Sequence, residues 1–137
     1  MKELFVAILM WASHTTGLPW NGQLPTTVIM SKNDVCVSAG ESKGCDIYAF
    51  YNPVQNVMVL PYDWRPNNVL DQSFLVHELT HYLQRNSILN DEKCSGLYEY
   101  QAYETQIEML KEAKVTPPDF LEWLAMNYKM SCEQSQT

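Results

Sequence analysis

Leu70 to Gln84 reads LDQSFLVHELTHYLQ, and how this stretch is read decides both the fold class and the chemistry. At about 100° per residue on a helix, Leu75, Leu79 and Leu83 fall on one side, while His77, His81 and Gln84 fall on the other. The pattern predicts a helix with one packing face and one face of polar ligands. The two histidines stand one turn apart, so both imidazoles reach a single metal ion. His77-Glu78-Leu79-Thr80-His81 is therefore HExxH, with Glu78 projecting beside the position that a catalytic metal leaves open. The motif arises by chance in roughly a few chains per thousand of this length. Its bland reading is an amphipathic surface helix with two solvated histidines.

A catalytic zinc takes three protein ligands and an exchangeable water, so HExxH alone is incomplete. The third histidine of the chain, His14, lies far upstream, and Gln84 and Ser87 stand where the longer HExxHxxGxxH motif needs Gly and His. The third ligand is then a carboxylate or Cys94. Leu97 to Lys114 reads as a second helix carrying Glu99, Glu104, Glu108 and Glu112. With Glu99 as origin, Ala102, Tyr103, Gln106, Ile107, Leu110 and Ala113 share its side, whereas Glu104, Glu108 and Lys111 lie opposite. Glu99 is thus the acid on the buried face, where a carboxylate needs a partner or a metal. A first-turn glutamate favoured by the helix dipole is the bland alternative. Glu104 and Cys94 stand in reserve.

The remainder of the chain reads as α+β. Leu4, Ile8 and Trp11 predict a first helix stopped at Gly17 and Pro19, and Val28 to Met30 a short strand. Ser31 to Val37 reads as a short helix ahead of a loop with Gly40 and Gly44. Ile47–Tyr51 and Val57–Leu60, separated by Asn52-Pro53-Val54-Gln55-Asn56, predict a β-hairpin and with it a small antiparallel sheet. A C-terminal helix runs from Pro118 to about Met130, with Pro118 in its first turn. The 137 residues fit one domain, 1–137, and 46% hydrophobic residues exclude a disordered class. A net charge of -7 with nine Lys plus Arg argues against nucleic acid and acidic membranes as partners.

Four cysteines, Cys36, Cys45, Cys94 and Cys132, form no CxxC pair. Cys36 with Cys45 and Cys94 with Cys132 make a plausible pair of disulfides, although four cysteines permit three connectivities, and four buried thiols in a cytosolic protein are the alternative. Lys2 and the apolar run Leu4 to Ala12 resemble a secretory signal but are too short to span a bilayer. The lack of a clear small-x-small site and the stop at Thr16-Gly17-Leu18-Pro19 favour a retained helix. Compartment (secreted, periplasmic or cytoplasmic) and oligomeric state are left open.

HELTHYLQ at 77–84 and EYQAYETQ at 99–106 resemble a group of small, uncharacterised bacterial metallopeptidases that pair HExxHxLQ with ExxAYxxQ. The likeness extends over most of the chain, and more broadly the chain is similar to a minimal gluzincin, a zincin-like domain in which a glutamate on a second helix completes the zinc site. That resemblance implies Zn2+ held by His77, His81 and Glu99, and a peptide or protein substrate cleaved by a zinc-activated water with Glu78 as general base. Many gluzincins place an acid or amide one turn after the ligand glutamate to steady a zinc histidine. Here Tyr103 stands in that place, free to bond a ligand or an oxyanion or to be a core tyrosine. Gln84 and Gln106 are the other candidates for steadying the ligands. The rival reading is a non-catalytic zinc-containing binding or regulatory domain, against which Glu78 speaks, because a purely structural site has no use for a base.

Overall fold

The structure, a computed structural model, describes residues 1–90 and 93–135. Its elements run α1 (Lys2–Thr16), β1 (Thr26–Met30), α2 (Lys32–Ser38), β2 (Phe50–Asn52), β3 (Val57–Pro61), α3 (Val69–Leu83), α4 (Arg85–Asn90), α5 (Ser95–Glu112) and α6 (Asp119–Ser135). The class is α+β, as the periodicities predict.

Local chemistry sets the boundaries. Gly17 ends α1 in the left-handed region at φ 77°, its N–H bonded to the Ser13 carbonyl, a conformation that costs a side-chain-bearing residue more than glycine. Ser31 caps α2 and Asn68 caps α3, each side chain accepting the backbone N–H three residues on. In the hairpin, Asn52 Oδ1 accepts from the N–H groups of Val54 and Gln55, and the Tyr51 hydroxyl donates to Asn56 Oδ1.

The sheet has the order β1-β3-β2, and β2 pairs with β3 in antiparallel fashion, Tyr51 opposite Met58. The expectation of a wholly antiparallel sheet needs one correction: β1 runs parallel to β3, so the sheet is mixed. Between β1 and β3 the chain passes through α2 and then β2, a connection long enough to lay β3 beside β1 in the parallel sense, which a tight turn does not allow. The hairpin is also shorter than its apolar pattern suggests, since Ile47 to Ala49 are not in a strand. The short helix α4 was not expected.

One core joins Phe5, Ile8 and Leu9 of α1, Tyr51, Met58 and Leu60 of the sheet, and Leu75, Val76 and Leu79 of α3. A second cluster, Ile107, Leu110 and Leu121, joins α5 to α6. α1 therefore belongs to the packed interior, with Leu9 and Ala12 fully buried.

The cysteines pair as Cys36–Cys45 and Cys94–Cys132. The second bond ties the start of α5 to α6 and removes Cys94 from the candidate metal ligands. Gly96 lies at the same crossing, where a Cβ would stand 2.7 Å from the Tyr128 carbonyl oxygen and 2.8 Å from Cys132 Sγ. Only glycine lets the helices approach this closely, one turn before Glu99. Two disulfides indicate an oxidising environment. Among the described residues, no helix is long and apolar enough to cross a membrane.

Candidate metal centre

α3 presents His77 and His81 on the face turned toward α5, and that face is buried as thoroughly as the leucine face, with Ser73, His77, Thr80 and Gln84 all inside. Solvated histidines on a surface helix are thereby excluded. The two Nε2 atoms lie 3.2 Å apart. From the first turns of α5, Glu99 reaches both: Oε1 is 2.6 Å from His81 Nε2 and Oε2 is 3.4 Å from His77 Nε2.

Outward-facing hydrogen bonds determine what these nitrogens offer. Gln84 Nε2 donates to the Tyr98 carbonyl and to Gln101 Oε1. A carbonyl only accepts, so the amide is oriented with Oε1 toward His81 Nδ1, 2.8 Å away. Gln106 repeats the arrangement. Its Nε2 donates to Ser73 Oγ, whose own hydrogen goes to the Leu70 carbonyl, leaving Oε1 toward His77 Nδ1 at 3.2 Å. Each Nδ1 must then be the donor, so in the neutral imidazole each Nε2 has its lone pair available toward the other histidine and Glu99.

Three lone-pair donors facing one point repel unless a proton or a cation lies among them. Donors held tetrahedrally at about 2.0–2.1 Å from a zinc ion are roughly 3.3 Å from one another. The Nε2–Nε2 and His77–Glu99 separations match, and the His81–Glu99 contact is tighter, as suits an ion-pair hydrogen bond. His77, His81 and Glu99 thus fit a divalent ion of nitrogen and oxygen preference. Donor atoms of His77, Glu78 and His81 also lie within 4.8 Å of one another, so Glu78 is a second carboxylate beside the same point. What separates the two acids is their bonding. Glu99 touches both imidazoles, whereas Glu78 Oε1 accepts the backbone N–H of Tyr51 at 3.4 Å and Oε2 is buried without a hydrogen-bond partner.

Electrostatics follow the same division. Burial raises the Glu78 carboxyl above its usual range against the pull of His77 and His81; a divalent ion beside it pulls the other way. Burial alone would push His81 down, but the hydrogen bond and charge of Glu99, with the charge of Glu78, raise it to about 9. Burial likewise opposes ionisation of Glu99, and the hydrogen bonds from His77 and His81 outweigh it, holding that carboxyl well below the usual range. These directions predict the pH dependence of the metal-free protein. The raised imidazole stabilises the fold fully below about 6.5 and stops doing so as pH rises through about 9. The depressed carboxyl stabilises above the ordinary carboxylate range and ceases to as Glu99 protonates below it. Both limits belong to one His81–Glu99 interaction and are not additive. Melting temperature measured against pH in the presence of a chelator is expected to fall between about 6.5 and 9; a flat profile there would contradict this ion pair.

Every residue singled out in the two motifs meets here, with one difference. Tyr103 makes a ring contact with His77 at 4.3 Å, and among the described residues its hydroxyl bonds none of the ligands. Burial raises the pKa of this hydroxyl, so it keeps its proton. The role of steadying the histidines falls to Gln106 and Gln84. Glu104 lies exposed on the far side of α5. The sequence reading missed Ser73 and Gln101, which anchor the two amides, and the Tyr51 N–H that holds Glu78. Hydroxyl, amide and backbone partners of this kind have no sequence signal of their own.

A cleft of about 620 Å³ opens onto these groups between segment 46–50, α3, α5 and α6. Residues 1–137 match the family described as Domain of unknown function (DUF6647). The chain belongs to that family. No curated protein and no solved structure matches this DUF6647 chain.

Proposed function

We propose that this protein is a zinc-dependent hydrolase that cleaves peptide bonds, with His77, His81 and Glu99 holding Zn2+ and Glu78 as general base. The observation that carries the reading is the Glu78 carboxylate. One oxygen is held by the Tyr51 N–H and the other is buried with no hydrogen-bond partner, beside three converging donors. A buried carboxylate oxygen without a partner is costly, and a role in accepting a proton accounts for its retention. When bound, the ion supplies a Lewis acid and lowers the pKa of water to near neutrality. The chain's own groups do the rest. Gln84 and Gln106 hold the imidazole tautomers, Glu99 completes the donor set, and Glu78 takes a proton at Oε2 and delivers it to the leaving amine. The peptide bond as substrate rests on the resemblance of the two motifs to small metallopeptidases. The two disulfides fit a secreted or periplasmic location.

The test is zinc content after exhaustive dialysis, together with cleavage of a peptide library. One ion per chain is expected, with cleavage abolished by a chelator and restored by zinc. A protein that keeps no zinc would defeat the proposal, and one that keeps zinc but cleaves nothing would be a binding domain.

A further inference from the structure

The cleft beside the donor set is walled mainly by apolar side chains. On one side Tyr48 stacks on Phe74 of α3, ring centroids 4.6 Å apart, with Ile47 beside them. On the other, Phe120, Leu124 and Tyr128 follow one another at helical spacing along α6. Its size lies in the range of pockets that enclose a small ligand or a side chain with its flanking backbone. The charged residues of its lining are Asp46, Glu78 and Glu99, apart from His77, and no Lys or Arg is among them. The ammonium of Lys32 stands near these walls, its Nζ 5.1 Å from the Tyr48 ring centroid. Phe120 is 49% exposed and Tyr48 45% exposed, so the rims leave apolar surface that a bound group would cover.

From this we infer that the site takes a peptide with a bulky apolar side chain next to the scissile bond, that side chain seated between the Tyr48–Phe74 stack and the α6 wall. The inference rests on the zinc-hydrolase reading above and adds the substrate class. No wall residue is itself a donor: Tyr48 lies in the irregular segment that follows the Cys36–Cys45 bond, Phe120 lies on the helix fastened by Cys94–Cys132, and only Phe74 shares α3 with the histidines. Specificity and metal binding are therefore separable by mutation.

Two zinc-chelating probes test it by calorimetric titration of the zinc-loaded protein: acetohydroxamate, and a hydroxamate with a benzyl side chain beside the chelating group. Burial of the phenyl group is expected to tighten binding by about 10-fold or more. Phe120→Asp, a change at a half-exposed position, is expected to erase most of that difference. Equal affinity of the two probes would overturn the inference and leave the zinc reading standing. A benzyl gain that persists undiminished in Phe120→Asp would overturn the placement against α6. Failure of both probes on protein shown to contain zinc would mean no accessible coordination position, and would defeat the function together with this inference.

Discussion

Glu78→Gln is expected to lower peptide hydrolysis by about 10²–10⁴-fold, the usual worth of a positioned general base, while zinc stays bound. Glutamine has the shape of glutamate and retains an oxygen to accept the Tyr51 N–H. What it loses is the capacity to take a proton at the position of Oε2, the buried oxygen that has no hydrogen-bond partner. The substitution also removes a charge whose burial is unfavourable, as the raised Glu78 carboxyl indicates, so the melting temperature is expected to hold or rise. Rate against a peptide substrate, zinc content and thermal melting on the same preparation check all three. Loss of activity accompanied by loss of zinc would move Glu78 from base to ligand.

Glu99→Ala is expected to do the reverse. Removal of a group that merely orients a metal ligand typically costs about 10–100-fold in affinity, and the loss of a ligand should exceed about 100-fold. The reason lies in what Glu99 touches: both Nε2 atoms, from a separate helix. Without it, two imidazoles remain on one face of α3, and His81 also loses the hydrogen bond and charge that raise it. Competition for zinc against a chromophoric chelator measures the effect. Unchanged affinity in Glu99→Ala would take Glu99 out of the donor set and leave Glu78 as the third donor with His77 and His81. The two variants together thus assign each acid one role, since the same structure presents both carboxylates at the site.

Much of this was legible in advance because helices write their contacts at regular intervals. His77 and His81 four residues apart, and Glu99, Tyr103 and Gln106 on one side of the next helix, declare which groups share a face. Pairing two amphipathic helices through their buried polar positions then leaves few arrangements. Strand pairing was harder to read. An alternating or apolar run states that a segment is extended without naming its neighbour or direction, so β1 was recognised while its parallel pairing with β3 was not. Ile47 to Ala49 looked like strand because they are apolar; they are apolar as part of the cleft wall. The aromatics Tyr62, Trp64, Tyr98, Tyr100 and Trp123, conspicuous in the sequence, are absent from the cleft lining, whose aromatic rings are those of Tyr48, Phe50, Phe74, Tyr103, Phe120 and Tyr128 beside His77.

The sequence by itself determined the class of the fold, which helix carries the proposed ligands His77 and His81, and which acid stands on the buried face of its partner, because each is a matter of periodicity along one chain segment. Tertiary structure alone decided the rest. It set the direction of β1, the cysteine connectivity among three possibilities, the amide anchors through Ser73 and Gln101, and the apolar walls of the cleft. These depend on distances between residues far apart in the chain, which no local pattern encodes. HExxH is the same five letters in either case; what distinguishes the two acids is that β2 claims one oxygen of Glu78 while both imidazoles claim the carboxylate of Glu99, which is why the first is proposed as base and the second as ligand.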